Sequence, residues 1–169
     1  KMKQNLIQSS STIEKIQSID QRAANQSRYI TNYAHCPIYE NTTSEYLNLG
    51  ERKFERLIEE LKKAEHYIFL EYFIIEEGIM WNTILDILKE KASQGVDVRV
   101  IYDDFGCLFL LPSGYDKKLE ESGIQCVAFN PVIPFFSLVM NHRDHRKLTV
   151  IDGNIGFMGG WNLADEYIN

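Results

Sequence analysis

Residues 140–169, MNHRDHRKLTVIDGNIGFMGGWNLADEYIN, hold the chain's densest set of groups able to do chemistry. His145 and Lys147 lie two apart, Asp152 follows, and Gly159, Gly160, Trp161 and Asn162 come after it. β-Branched and apolar residues fill 147–151 and 155–158, and Asp152-Gly153-Asn154 between them has turn chemistry, so a hairpin is predicted. Residues two apart on a strand point to the same face. An imidazole therefore projects beside a fixed positive charge. That pair suits attack on phosphate, with histidine as nucleophile or proton carrier and lysine as a point charge on the phosphoryl oxygens. Asn162 adds an amide donor for the same oxyanion, and Gly159 and Gly160 let backbone approach closely.

His-x-Lys-x4-Asp followed by Gly-Gly-x-Asn resembles the signature of the phospholipase D superfamily. The wider run is similar to the bacterial cardiolipin synthases within it: Asn141, Arg143, His145, Arg146 and Lys147, then Gly159 to Asn162, then Asp165-Glu166-Tyr167. The resemblance implies one lobe, incomplete, of the two-lobed phospholipase D fold, carrying the first such motif. It implies a catalytic set of His145, Lys147 and Asp152, with Asp152 expected to order the hairpin rather than touch substrate. Asn162, Gly160, Arg143 and Glu71 form the expected phosphate- and substrate-binding set. The implied reaction joins two phosphatidylglycerol molecules into cardiolipin and glycerol through a phosphohistidine. One histidine attacks and its counterpart in a second motif handles the proton; the resemblance leaves open which role His145 takes.

Other readings remain beside this one: a hydrolase or nuclease of the same fold with water as acceptor, and a non-catalytic lipid-binding lobe. The net charge of −6, with no basic run outside residues 143–147, argues against nucleic acid as partner. His142, Asp144, His145 and Asp152 do not read as a metal site, because Arg143, Arg146 and Lys147 would repel a cation; no cofactor is expected. Expected partners are phosphatidylglycerol, the membrane surface, and a second catalytic lobe of the parent chain or a dimer mate. That last partner follows from His142 lying too close to oppose His145, and from His35 and His66 lying in no motif. The implied place is the bacterial cell membrane, with the lobe facing the cytoplasm. No apolar run approaches the ~18 residues of a membrane span. The chain, beginning at Lys1 and ending at Asn169, is expected to be cut from a longer protein and to be inactive and marginally stable alone.

A composition of 44% hydrophobic and 25% charged residues over 169 residues describes one globule with a substantial core. Residues 1–30 are polar and weakly periodic, a helical lead-in with Ser11-x-x-Glu14 as a capping box and Ile13, Ile16 and Ile19 as a thin stripe. The catalytic lobe is taken as 31–169. Phe54, Leu57, Ile58, Leu61 and Ala64 share a helical face, with Glu59 and Lys63 as a pair four apart. Residues 66–75 read as a buried strand. Trp81, Ile84, Leu85, Leu88 and Ala92 make a second helix closed by Gly95, and Val96, Val98, Val100 and Tyr102 a second strand. Residues 113–122 are predicted as a third helix and 124–129 as a third strand. Such alternation gives an α/β fold with parallel strands, the hairpin adding two more to one mixed β-sheet flanked by helices.

Glu71 sits in an apolar strand, where a lone carboxylate is expensive; it either bonds a histidine or lysine at the active edge or lies exposed. Asp103 and Asp104 either line a head-group pocket at the strand's carboxyl end or form a turn or helix cap. Cys36, Cys107 and Cys126 read as reduced thiols, with Cys126 in the core. Residues 131–140 combine prolines with large apolar side chains, and either fill core or form an acyl-chain lip beside the motif.

Overall fold

The structure, a computed structural model, describes residues 10–132 and 141–168. The chain divides into two compact units at Tyr46 and Leu47. In the first unit the lead-in is two helices, α1 (Ser10–Ile19) and α2 (Gln21–Tyr29). Asp20 breaks them: its extended backbone and carboxylate cap α2 through the N–H groups of Arg22 and Ala23. The helix then widens into a π-helical turn, Ile30–Ala34.

The second unit opens with α3 (Gly50–Lys63). Its stripe is as predicted: Leu57, Leu61 and Ala64 are buried, with Phe54 and Ile58 packed against them. The predicted Glu59–Lys63 pair does not form. Glu59 bonds Arg56 and Lys63 bonds Glu60, both three residues apart. Next come β1 (Tyr67–Tyr72), α4 (Ile79–Ser93) and β2 (Asp97–Asp103). Two short helices, α5 (Asp104–Cys107) and α6 (Tyr115–Glu120), lead to β3 (Gln125–Phe129). The hairpin of β4 (Lys147–Ile151) and β5 (Ile155–Met158) has the bounds read from the sequence. A single turn of 3-10 helix, Asp165–Tyr167, follows.

The five strands form one mixed sheet in the order β3-β2-β1-β4-β5, with β1, β2 and β3 parallel and the hairpin antiparallel. Ile68, Leu70 and Tyr72, Val98, Val100 and Tyr102, Cys126, Ile151 and Phe157 form its buried side with Trp81, Ile84 and Leu88 of α4. Strand alternation leaves Phe69, Glu71, Ile101, Val127 and Leu148 half-buried or exposed on the other side. No described helix is long and apolar enough to cross a membrane.

Two carboxylates from late in the chain finish elements begun much earlier. Asp165 accepts from the N–H groups of Ile79 and Met80, both at 2.8 Å, capping α4 where Gly78 offers no side chain. Asp152 takes the N–H groups of Glu65, His66 and Tyr67, each at 2.8 Å, and fixes the entry to β1. Asp152 and Gly153 both have positive φ, 50° and 70°, as a type I′ turn requires. Burial alone would raise the Asp152 pKa, but the three N–H bonds outweigh it and hold the carboxyl below its ordinary value.

A depressed carboxyl contributes stability that is present above the unfolded-state pKa and lost as pH falls through the folded one. Asp152→Asn tolerates the left-handed backbone but loses the charge. It should lower stability at neutral pH by roughly 1–3 kcal/mol, a deficit that shrinks below about pH 3. Denaturant melts of both proteins at the two pH values check this; an equal deficit at both would show that the charge is not what matters.

Candidate active site

The motif residues meet where β1 ends and antiparallel β4 begins, with Tyr72 opposite Lys147. One further bond, from the Phe73 N–H to the Arg146 carbonyl at 3.1 Å, carries the ladder past the strands. It holds the Phe73 ring between the two groups of the motif. The His145 imidazole lies 4.7 Å from that ring, centroid to centroid, and the Lys147 Nζ lies 5.1 Å from its centroid. β4 begins only at Lys147, so His145 precedes the strand. The two side chains share a side because both pack on Phe73, not because of strand alternation as the sequence suggested. His145 is exposed. Lys147 is buried, its Nζ donating to the His145 carbonyl at 2.9 Å. Burial pulls its pKa down against the opposing pull of Asp144.

Asn162 reaches the same place from the other side. Its side-chain oxygen accepts from the Ile74 N–H at 3.2 Å and its amide nitrogen donates to the Tyr167 hydroxyl at 3.0 Å. The amide is buried. Leu163 bridges to Ile75 alongside, so 162–163 run parallel to 74–75. The described chain then makes a single 3-10 turn. Gly160 is exposed, with open space where a Cβ would stand. Cys107 clamps the segment from a third side, its Sγ accepting from Ile75 N–H and donating to the Phe73 carbonyl. A Cβ on Gly106 would come within 2.2 Å of that carbonyl, which is why glycine stands there.

Asp152 does not join this group. It follows the far end of β4 and holds the entry to β1, in keeping with the hairpin-ordering role expected of it rather than contact with substrate. Arg143 is also held structurally. Its NH1 donates to Asp103 at 3.2 Å and to the Asn130 carbonyl at 3.0 Å, with the guanidinium over Phe105. Asp103, fully buried, is the cap alternative realised: it takes Phe105 and Gly106 N–H at the start of α5, and Asp144 N–H as well. Asp104 accepts from Val132 N–H at 2.7 Å. These two aspartates pin the chain on both sides of residues 133–140. The core-or-lip alternative for that stretch falls outside the described residues. Among the described residues no cluster of metal-type ligands occurs.

The chain matches, over residues 57–169, the family described as cardiolipin synthase, PLD-like domain. It belongs to that family. It is 48% identical over 155 residues to an uncharacterised protein of Streptococcus mutans, covering 92% of this chain and 34% of that protein. It is 43% identical over 133 residues to a cardiolipin synthase of Geobacillus sp. strain WCH70, covering 78% of this chain and 26% of the relative. The chain thus spans about a quarter to a third of these relatives' length. Among solved structures it superposes on NucT from Helicobacter pylori with a TM-score of 0.51 at 18% identity, covering 70% of this chain and 71% of that one. The phospholipase D family member Nuc from Salmonella typhimurium gives 0.50 at 16%, covering 67% and 66%. The mixed-sheet lobe is therefore a PLD-like fold.

In this PLD-like domain Glu71 bonds neither a histidine nor a lysine, as had been expected of the active edge. Its partner is Arg146, at 2.9 Å, and Asp144 faces it as well. An arginine reaches Glu71 because Arg146 lies between His145 and Lys147, on the opposite side of the chain from Phe73. Burial, then the Asp144 carboxyl, raises the Glu71 pKa, and Arg146 only partly offsets them. Phe73, Cys107, Asp144 and Arg146 escaped the sequence reading. Phe73 was hidden in an apolar run, and Asp144 and Arg146 stood out only as neighbours of His145.

A carboxyl with a raised folded pKa contributes stability that is fully present below the unfolded pKa and lost as pH rises through the folded one. Glu71→Gln removes that dependence. The stability of the native protein relative to Glu71→Gln should therefore fall as pH rises from about 4 to 7. Paired melts across that range measure it, and a flat difference would mean the Asp144 contact is unimportant.

Proposed function

We propose that this domain supplies one half of a phosphatidyl-transfer centre that makes cardiolipin from two phosphatidylglycerol molecules. The observation that carries the reading is the exposed His145 imidazole and the buried Lys147 ammonium packed on one phenylalanine ring, with the Asn162 amide tied to the next residue. A dry ammonium is worth more to a phosphoryl oxygen than a solvated one, since charge interactions strengthen as water is excluded. In the first step an imidazole nitrogen, here or in the partner motif, bonds to phosphorus as the bond to glycerol oxygen breaks, and the opposing histidine protonates that oxygen. In the second, the hydroxyl of another phosphatidylglycerol loses its proton to that same histidine and attacks phosphorus, breaking the P–N bond. Lys147 and Asn162 hold the phosphoryl oxygens throughout. Arg143 acts by placing the motif loop on Asp103. The second motif comes from a further lobe of a longer parent or from a dimer mate, and the site works at the cytoplasmic face of the bacterial membrane. Family membership supports the phosphatidyltransferase class, and the length of the relatives leaves room for the second lobe.

In the full-length parent protein, His145→Ala should lower turnover of phosphatidylglycerol vesicles at least ~10²–10⁴-fold. Lys147→Met, which keeps the packing on Phe73, should also cripple it. Phosphorus NMR of quenched enzyme assigns the role of His145, because only the nucleophile carries a phosphoramidate. Cardiolipin plus glycerol is the expected product. Phosphatidic acid would instead mean that water is the acceptor, and lipid binding with no turnover would mean a non-catalytic lobe.

A further inference from the structure

Lys53 is a cation with no structural reason to be where it is. It lies in the first turn of α3, where the helix dipole disfavours positive charge. It is 8% exposed, and its Nζ has no hydrogen-bond acceptor among the described residues. Its compensation is the face of Trp161, with the Nζ 4.4 Å from the ring centroid. A cation–π contact contributes about 0.5–2 kcal/mol, well short of the penalty for burying an unpaired ammonium. Burial alone pulls its pKa down to about 8, so the group is still mainly charged at neutral pH.

The charge lies beneath two consecutive exposed glycines. A Cβ on Gly159 would stand 3.9 Å from the Nζ, while Gly160 faces open space, and both glycines are exposed. The chain continues from them through Trp161 to Asn162 and the Phe73–Ile74 segment. We propose that Lys53 charges the Gly159–Gly160 turn from behind, making it a second phosphate-binding position, one that takes the phosphodiester of the acceptor lipid. This rests on the phosphatidyl-transfer reading. Transfer between two phosphatidylglycerols brings two anionic head groups together, and Lys147 on Phe73 neutralises only the donor's. The absence of side chains at 159 and 160 lets the second phosphate come within Coulomb range of a charge it does not touch.

The test uses the full-length parent protein in detergent, with inorganic phosphate and then short-chain phosphatidylglycerol titrated in and followed by NMR. The Lys53 pKa should rise with each ligand, and the Gly159 and Gly160 amides should shift with it. Lys53→Met should weaken that response at least tenfold, the part left after solvent screening of the roughly 10²–10³-fold that one charge lost a few ångströms from an anion represents at an effective dielectric of about 20. The shifts at His145 should persist in that variant. Because Lys53→Met removes a buried unpaired charge, it should melt no lower than the native chain. If it fails to fold, the Lys53 titration in the native chain decides alone. No response at Lys53, with His145 still responding, overturns the second position and leaves the transfer reading standing. A single binding event lost equally in Lys53→Met and His145→Ala overturns it too, since there would be one site. Silence at both places overturns both readings. A response to inorganic phosphate but not to phosphatidylglycerol would mean the turn is not a lipid position, and would refute the acceptor assignment.

Discussion

The site depends on residues 73–75 holding one path after β1 has ended, with the chain bending at Phe73. Beyond the sheet these residues have no strand on either side to pair with continuously, yet their polar groups are engaged by unrelated parts of the chain. Phe73 N–H goes to Arg146, its carbonyl to Cys107, Ile74 to Asn162 and Leu163, and Ile75 N–H to Cys107. A buried backbone group left without a partner costs as much as a lost hydrogen bond, so this segment is fixed by obligation. Fixing it fixes the Phe73 ring, and the ring sets the spacing of His145 and Lys147. His145 is thereby positioned although it belongs to no regular element.

Asp103 is the second constraint, of an opposite kind. A fully buried carboxylate is costly unless its lone pairs are filled, and four donors fill these: three backbone N–H groups and the Arg143 guanidinium. The donors come from α5 and from the motif loop, so the charge joins the carboxyl end of β2 to the approach to β4. That explains why a basic residue two before His145 is turned inward. Its charge answers a buried anion, and Lys147 alone of the local cations lies against the ring that carries the imidazole.

Much of this was legible in the sequence because period and turn chemistry are local. The hairpin from Lys147 to Met158, the stripe of α4 and its stop at Gly95, and the parallel order of β1 to β3 all follow from spacing. What escaped was decided by partners distant in the chain. Glu59 and Lys63 had the right spacing for each other, but Arg56 and Glu60 offered pairs three residues apart. Strand alternation gave the right companionship for His145 and Lys147 for the wrong reason, since a ring some seventy residues earlier brings them together. Glu71 was suspected for being a charge in an apolar strand, but its partner could not be read, because Arg146 becomes its neighbour only through the β1–β4 register. Lys53 was not singled out at all, since nothing local announces that Trp161 will cover it.

The caps supplied by Asp165 and Asp152 have a consequence for synthesis. The first turn of α4 and the entry to β1 each wait for a carboxylate about eighty-six residues further along. A chain emerging from the ribosome therefore exposes both beginnings, their N–H groups met only by water, until the hairpin and the segment after Asn162 have been made. Closing such distant contacts is what slows folding, and it ties the completion of the early helix and strand to the arrival of the motif itself. The starts of that helix and strand are therefore capped only once the last described segment of the chain is present.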